Sequence, residues 1–189
     1  MIRHAKKSDA PKIAPLLLVI WKDMELPILE VETEEAITNA LIEAIQTEDY
    51  RYSYRHLHVY EKEGDIAGVL AGYPGKIEPK IEPKIDRAWN EIAKKHGIRY
   101  EEPIFADKET FPGEWYLDSI VTNEKYRGHG VGTALLAKLT EIAAEDGEKV
   151  VGLNCDKGNP HAKRLYERLG FHVTGEITLS GHEYEHMQK

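Results

Sequence analysis

A single cysteine, Cys155, stands in the 189-residue chain, so no internal disulfide can staple the fold, and the composition suits a reducing compartment. Long apolar runs are missing too. The stretch Leu16 to Trp21 falls far short of the ~20 residues a membrane-spanning helix needs. The first ten residues are charged where a secretion signal would be apolar. Positive charge is in deficit: 25 Lys and Arg against 33 Asp and Glu leave a formal net charge of −8. That balance argues against a general affinity for nucleic acid or an anionic membrane, and leaves cationic acceptors open. The expectation is a cytoplasmic chain, 41% hydrophobic, folded around one core as a single domain over residues 1–189.

The hydrophobic pattern alternates between strand and helix periods. Ile2 to Ala5 is a first strand, followed by a helix capped by Ser8, with apolar positions Ile13, Leu16, Leu17, Ile20 and Met24, ended by Pro27. Thr33 caps a second helix, with Glu34 and Glu35 in its first turn and Ile37, Leu41 and Ile45 as its buried stripe. Leu57 and Val59, then Ile66 to Tyr73, read as two strands joined at Glu63, Gly64 and Asp65. Residues 74–112 break this rhythm with prolines and the repeat Lys76-Ile-Glu-Pro79, Lys80-Ile-Glu-Pro83. That is an insertion, with a helix expected over Asp86 to His96 on Trp89, Ile92 and Ala93, and none through the proline repeat. After Pro112 the pattern predicts a strand from Trp115 to Thr122, a helix from Val131 to Glu145 and a strand from Lys149 to Cys155. A helix from Asn159 to Leu169 and two closing strands joined at Ser180 and Gly181 complete it. The fold class is α/β, of α+β type, with a mixed, mostly antiparallel central sheet flanked by helices.

Between a strand and an amphipathic helix lies Arg127-Gly128-His129-Gly130-Val131-Gly132. Glycines let backbone amides converge on an anion, and the helix N-terminus adds partial positive charge. Lys125, Arg127 and His129 make the patch locally basic. A Walker loop would need a lysine and then serine or threonine after its last glycine, where this chain has Thr133 and Ala134; the dinucleotide fingerprint needs a different glycine spacing.

The loop resembles the R/Q-x-x-G-x-G/A motif of the GNAT superfamily of N-acetyltransferases, with Arg127, Gly130 and Gly132 at the defining positions. Ile120, Thr122, Tyr126 and Val131 to Leu136 resemble its flanks, though valine is commoner where Thr122 stands. Asn159, Ala162, Leu165, Tyr166, Leu169, Gly170 and Phe171 resemble the second motif, N-x-x-A-x-x-L-Y-x-x-x-G-F. The resemblance covers Trp115 to Phe171 well and the N-terminal half only in its layout.

It implies direct transfer of an acetyl group from acetyl-CoA, the co-substrate, to a primary amine. The alternative is a catalytically silent CoA-binding module. Coenzyme contacts fall to Ile120, Val121 and Thr122 on the strand, to Arg127, Gly128, His129, Gly130, Val131, Gly132 and Thr133 at the loop, and to Asn159 and Ala162. Tyr166 becomes the acid that protonates the leaving thiolate. For the base, strand alternation puts Glu114, Tyr116 and Asp118 on one face; Glu114 is the first choice, Asp118 the second, and a water relay stays open. The acceptor is a small molecule or a protein amine; Glu78, Glu82, Glu101 or Glu102 of the insertion are candidates to face it. A homodimer stays open by analogy with relatives.

His182-Glu183-Tyr184-Glu185-His186 spells the H-E-x-x-H zinc signature, which needs a helix to bring both histidines to one face. Gly181 precedes it, three residues follow it, and the stretch reads as a strand, so no metal is expected. His56 and His58 read as sheet residues, and Cys155 as a packed thiol.

Overall fold

The computed structural model describes residues 1–189, with the side chains of residues 79–86 outside the description. Seven strands form one sheet: β1 (Ile2–His4), β2 (Leu57–Lys62), β3 (Asp65–Pro74), β4 (Trp115–Thr122), β5 (Val151–Asp156), β6 (His172–Leu179) and β7 (His182–Gln188). Their hydrogen-bonded order is β1-β2-β3-β4-β5-β7-β6. Neighbours are antiparallel except β4 and β5, which pair in parallel through Trp115–Val151, Tyr116–Gly152 and Leu117–Leu153. The antiparallel sense of β3 and β4 shows in the amides of Asn123 and Gly75, which donate to the carbonyls of Ala67 and Glu114. The sheet is flanked by helices, as the mixed pattern predicts.

The chain divides into two compact units. The first comprises residues 1–71, 79–104 and 119–135. In it α1 (Ala10–Asp23) and α3 (Glu34–Ile45) pack on each other through fully enclosed side chains such as Ile13, Leu17, Ile37 and Leu41. Thr33 caps α3 by accepting the Ala36 amide. Ser8 does not cap α1: it lies inside a 3₁₀ turn over Lys7–Asp9, closed by the Asp9 carboxylate accepting the Lys6 amide. Nor does Pro27 end α1. The helix stops at Met24, Glu25 takes a φ of 53°, and Pro27 precedes a one-turn α2 (Ile28–Val31). The turn between β2 and β3 has Glu63 and Gly64 at positive φ, the geometry a tight hairpin requires.

Helix α4 (Glu78–Lys95) starts eight residues earlier than expected and takes in the backbone of the second proline repeat. The first helical amides have no intrahelical acceptor anyway, so Pro79, second in the helix, removes no hydrogen bond; only Pro83 costs one. Glu82 lies outside the described side chains. Trp89 is buried, edge-on to Trp21 at 5.4 Å and stacked on Tyr50 at 6.0 Å between ring centroids.

His58 on β2 is buried with neither ring nitrogen hydrogen-bonded, its ring 4.0 Å from that of its cross-strand partner His4. Burial, reinforced by His4, pushes its pKa down from 6.5 to about 4. The unfolded chain therefore binds a proton below pH 6.5 that the folded chain refuses. Stability from this group is present above pH 6.5 and lost as pH falls through 4, by up to ~3 kcal/mol. Urea melts at pH 7 and pH 4.5 should show His58→Leu losing less stability on acidification than the wild type; equal losses would refute the assignment.

The second unit comprises residues 72–78, 105–118 and 136–189. It holds the beginning of β4, β5, α6 (Leu139–Glu145), α7 (Pro160–Arg168) and the β6–β7 hairpin, whose turn residues Ser180 and Gly181 have positive φ. The helix expected from Val131 to Glu145 is divided at Lys138 into α5 (Val131–Ala137) and α6; Lys138 takes φ −84° and ψ −10°, tighter than an α-turn. Among the described residues no helix is long and apolar enough to cross a membrane.

Candidate active site

In the first unit β4 runs out through Ile120, Val121 and Thr122 into a turn capped by Asn123, whose side chain accepts the Lys125 amide. Gly128 and Gly130 follow at φ 78° and 74°, with open space where a side chain would sit. Residues with a Cβ avoid that conformation, so the glycines are what permit the loop. Arg127, Gly128, His129 and Gly130 are exposed, His129 turning a ring nitrogen back to the Arg127 carbonyl at 3.0 Å. Ala134 is the first residue of the turn to donate back, to the Gly130 carbonyl at 2.9 Å. The amides of Val131, Gly132 and Thr133 thus stand at the open end of α5, facing outward with the positive end of the peptide dipoles. A Cβ on Gly132 would lie 3.4 Å from the Thr122 hydroxyl, so strand end and helix start are close neighbours. These residues form one surface whose donors suit a phosphate.

In the second unit Asn159 caps α7, its side-chain oxygen accepting the Ala162 amide at 3.0 Å. One face of Asn159 is therefore committed to the helix, and the residue is exposed. Tyr166 packs edge-on against Phe171 at 5.9 Å, and its hydroxyl has no hydrogen-bond partner among the described residues. Burial pushes its pKa up to about 12, with Cys155 a smaller influence. It therefore holds its proton across the neutral range, as a proton donor must. The Cys155 thiol is enclosed, and burial, helped by Glu185 and Asp156, pushes it up to about 11; a thiol so protonated is a poor nucleophile.

The two carboxylates proposed for the base have different surroundings. Asp118 is partly exposed and accepts a hydrogen bond from the Tyr73 hydroxyl at 3.2 Å. Glu114 is completely enclosed and packs over Gly152, where an added Cβ would meet a carboxylate oxygen at 2.0 Å. It accepts from the Phe111 amide at 3.1 Å and from Gln188 Nε2 at 2.8 Å, and faces His186 Nε2 at 2.9 Å.

Glu78 is buried as well. Its carboxylate accepts the Glu109 and Thr110 amides and the Thr110 hydroxyl, fastening the segment before β4. Its oxygens are thus committed to the protein rather than turned to an acceptor amine; Glu101 and Glu102 are exposed.

His182 and His186 lie on β7, four residues apart, which separates them by ~13 Å along an extended strand. The zinc signature therefore has none of its helical geometry. His186 instead touches Glu114 with one ring nitrogen and Asn154 Oδ1 with the other, at 2.7 Å. His186 and Asn154 were not legible as partners of Glu114; the one available signal was that His186 and Gln188 sit two apart, on one face of a strand.

Residues 20–171 match the model of the Acetyltransferase (GNAT) family. A spermine/spermidine N(1)-acetyltransferase of Bacillus subtilis (strain 168) is 35% identical over 146 residues, covering 71% of this chain and 90% of the relative. A crystal structure described only as an acetyltransferase superimposes with a TM-score of 0.88 at 46% identity, over 100% of this chain and 98% of the other. The N-acetyltransferase from Staphylococcus aureus Mu50 gives a TM-score of 0.85 at 34% identity over the whole of both chains. With the family model spanning most of the sequence and both motifs in place, the chain belongs to the GNAT family and is an N-acetyltransferase.

Proposed function

We propose that this enzyme transfers an acetyl group from acetyl-CoA directly to a primary amine, the acceptor being a polycation of the polyamine class. The observation that carries the donor half is the glycine loop: exposed, with two glycines at positive φ and outward-facing helix amides, in a protein otherwise acidic. The amides of residues 128–133, with Arg127 and His129, would hold the pyrophosphate. The backbone of Ile120, Val121 and Thr122 would hold the pantetheine arm and thioester, and Asn159 and Ala162 are the further coenzyme contacts that their motif implies. Support for a cationic acceptor comes from the net charge of −8 and from the polyamine named for the Bacillus relative.

In this reading Tyr166 protonates the departing thiolate. Asp118, half-buried on β4, takes the amine proton directly or through a water. Glu114, enclosed behind Phe111 and Gly152, acts through its partners rather than by touching the amine. We read residues 1–189 as one N-acetyltransferase domain, cytoplasmic, with an insertion at about 74–112. Acetyl-CoA consumption measured against spermidine, spermine, an aminoglycoside, a free amino acid and a lysine peptide tests the acceptor. We expect kcat/KM for the polyamines to exceed the others at least ~10-fold, the size of about one well-placed charge-assisted hydrogen bond. Preference for the amino acid or the peptide would overturn it.

A further inference from the structure

The second unit contains a buried polar chain that the sequence did not announce. It runs from Glu114 through His186 and Asn154 to the Tyr116 hydroxyl, and on to Glu109. Asn154 Nδ2 lies 3.0 Å from the Glu109 carbonyl oxygen and 3.2 Å from the Tyr116 hydroxyl. A carbonyl only accepts, so the nitrogen of the Asn154 amide must be on that side. Its oxygen then faces His186 Nδ1 at 2.7 Å, which obliges Nδ1 to carry a hydrogen. The other ring nitrogen faces the Glu114 carboxyl, so one further proton lies between Nε2 and Oε2. Both residues are enclosed, and the Phe111 ring covers the imidazole at 4.5 Å between centroids.

From Nδ1 onward every bond in the chain therefore has a fixed direction. Tyr116 donates to Glu109 Oε2 at 2.9 Å and accepts from Asn154, so its hydroxyl cannot turn. Tyr116 is two residues from Asp118 on β4, and its ring meets that of Tyr73, whose hydroxyl donates to Asp118.

We infer that His186 is a positioning residue for acetyl transfer: anchored by Glu114 at Nε2, it orients Asn154 through Nδ1–H, and Asn154 in turn fixes Tyr116, whose ring packs on the Tyr73 that donates to Asp118. The inference rests on the acetyltransferase reading of the site. A histidine kept only for stability would serve through either ring nitrogen, whereas a positioning role depends on the Nδ1 side.

Two substitutions separate these halves. His186→Asn places an amide nitrogen where Nδ1 was, keeping the bond to Asn154 and dropping Glu114. His186→Gln reaches the Nε2 position, keeping Glu114 and dropping Asn154. With spermidine as acceptor, we expect kcat of His186→Asn to exceed that of His186→Gln by ~10-fold, with KM for acetyl-CoA equal in both. Tyr116→Phe, which leaves the buried pair intact, should reproduce the kcat of His186→Gln, and the double variant should be no slower than either single one. In ¹⁵N-labelled wild type the His186 Nδ1 should read as protonated wherever the fold persists, independently of turnover. Equal or reversed kcat, additive losses in the double variant, or an unprotonated Nδ1 would each overturn the positioning role. If the histidine variants fail to fold, Tyr116→Phe at full wild-type kcat overturns it alone. A wild type that acetylates no amine refutes the acetyltransferase reading and the positioning role with it, even with the Nδ1 proton in place.

Discussion

Changing Gly130 to valine together with Gly132 to leucine is expected to weaken acetyl-CoA binding at least ~100-fold while the fold survives. Gly130 sits at φ 74°, a region a β-branched residue enters only under strain, so the loop must rearrange and its amides must turn from the anion. Hydrogen bonds to a charged group contribute about 1.5–3 kcal/mol each, and losing two of them gives the stated factor. Survival of the fold follows from the space around the loop: a Cβ on Gly130 meets nothing within 4 Å, and one on Gly132 only the Thr122 hydroxyl. Calorimetric titration of acetyl-CoA into wild type and variant, with a thermal melt of each, makes the measurement. Unchanged affinity in the variant would return the loop to a structural turn.

Replacing Tyr166 with phenylalanine is expected to lower kcat by ~100-fold, the lower end of what a positioned proton donor contributes, with coenzyme affinity unchanged. The ring packs on Phe171 and the hydroxyl bonds to nothing among the described residues, so the change removes one oxygen and little packing. Because burial holds the wild-type pKa near 12, ionisation of Tyr166 should not limit turnover below about pH 11. The same shift makes the folded chain keep a proton that the unfolded chain loses near pH 10. Its contribution to stability is complete below pH 10 and declines as pH rises through 12. Steady-state rates and coenzyme titrations of both proteins from pH 6 to 10.5 decide the matter. A variant with wild-type kcat would remove Tyr166 from the chemistry, and one that also loses coenzyme would assign it to binding.

Several elements were readable from the residues because their causes are local. Thr33 with Glu34 and Glu35, the Glu63-Gly64 turn, and the arrangement of strand, glycine loop and helix around Arg127 to Gly132 all depend on contacts within a few positions. The two motifs that identified the family are of this kind. Misreadings came where a local rule met an end effect: Pro79 looked like a helix breaker, yet as the second residue of α4 it has no hydrogen bond to break. Ser8 looked like a cap, yet the Asp9 carboxylate closes that turn.

The sequence by itself determined the alternation of elements, the phosphate-suited loop and the presence of Tyr166 and Asn159 on one short helix, since each follows from spacing along the chain. Only the tertiary structure decided the surroundings of the carboxylates. Asn154 and His186 come from two different strands and Glu114 from the residue that precedes a third, and the register of β5 on β7, with Asn154 opposite His186, makes them one network. Strand spacing along the sequence carries no record of which strands become neighbours, so a histidine that spelled part of a zinc signature became, in the fold, the partner of a buried glutamate.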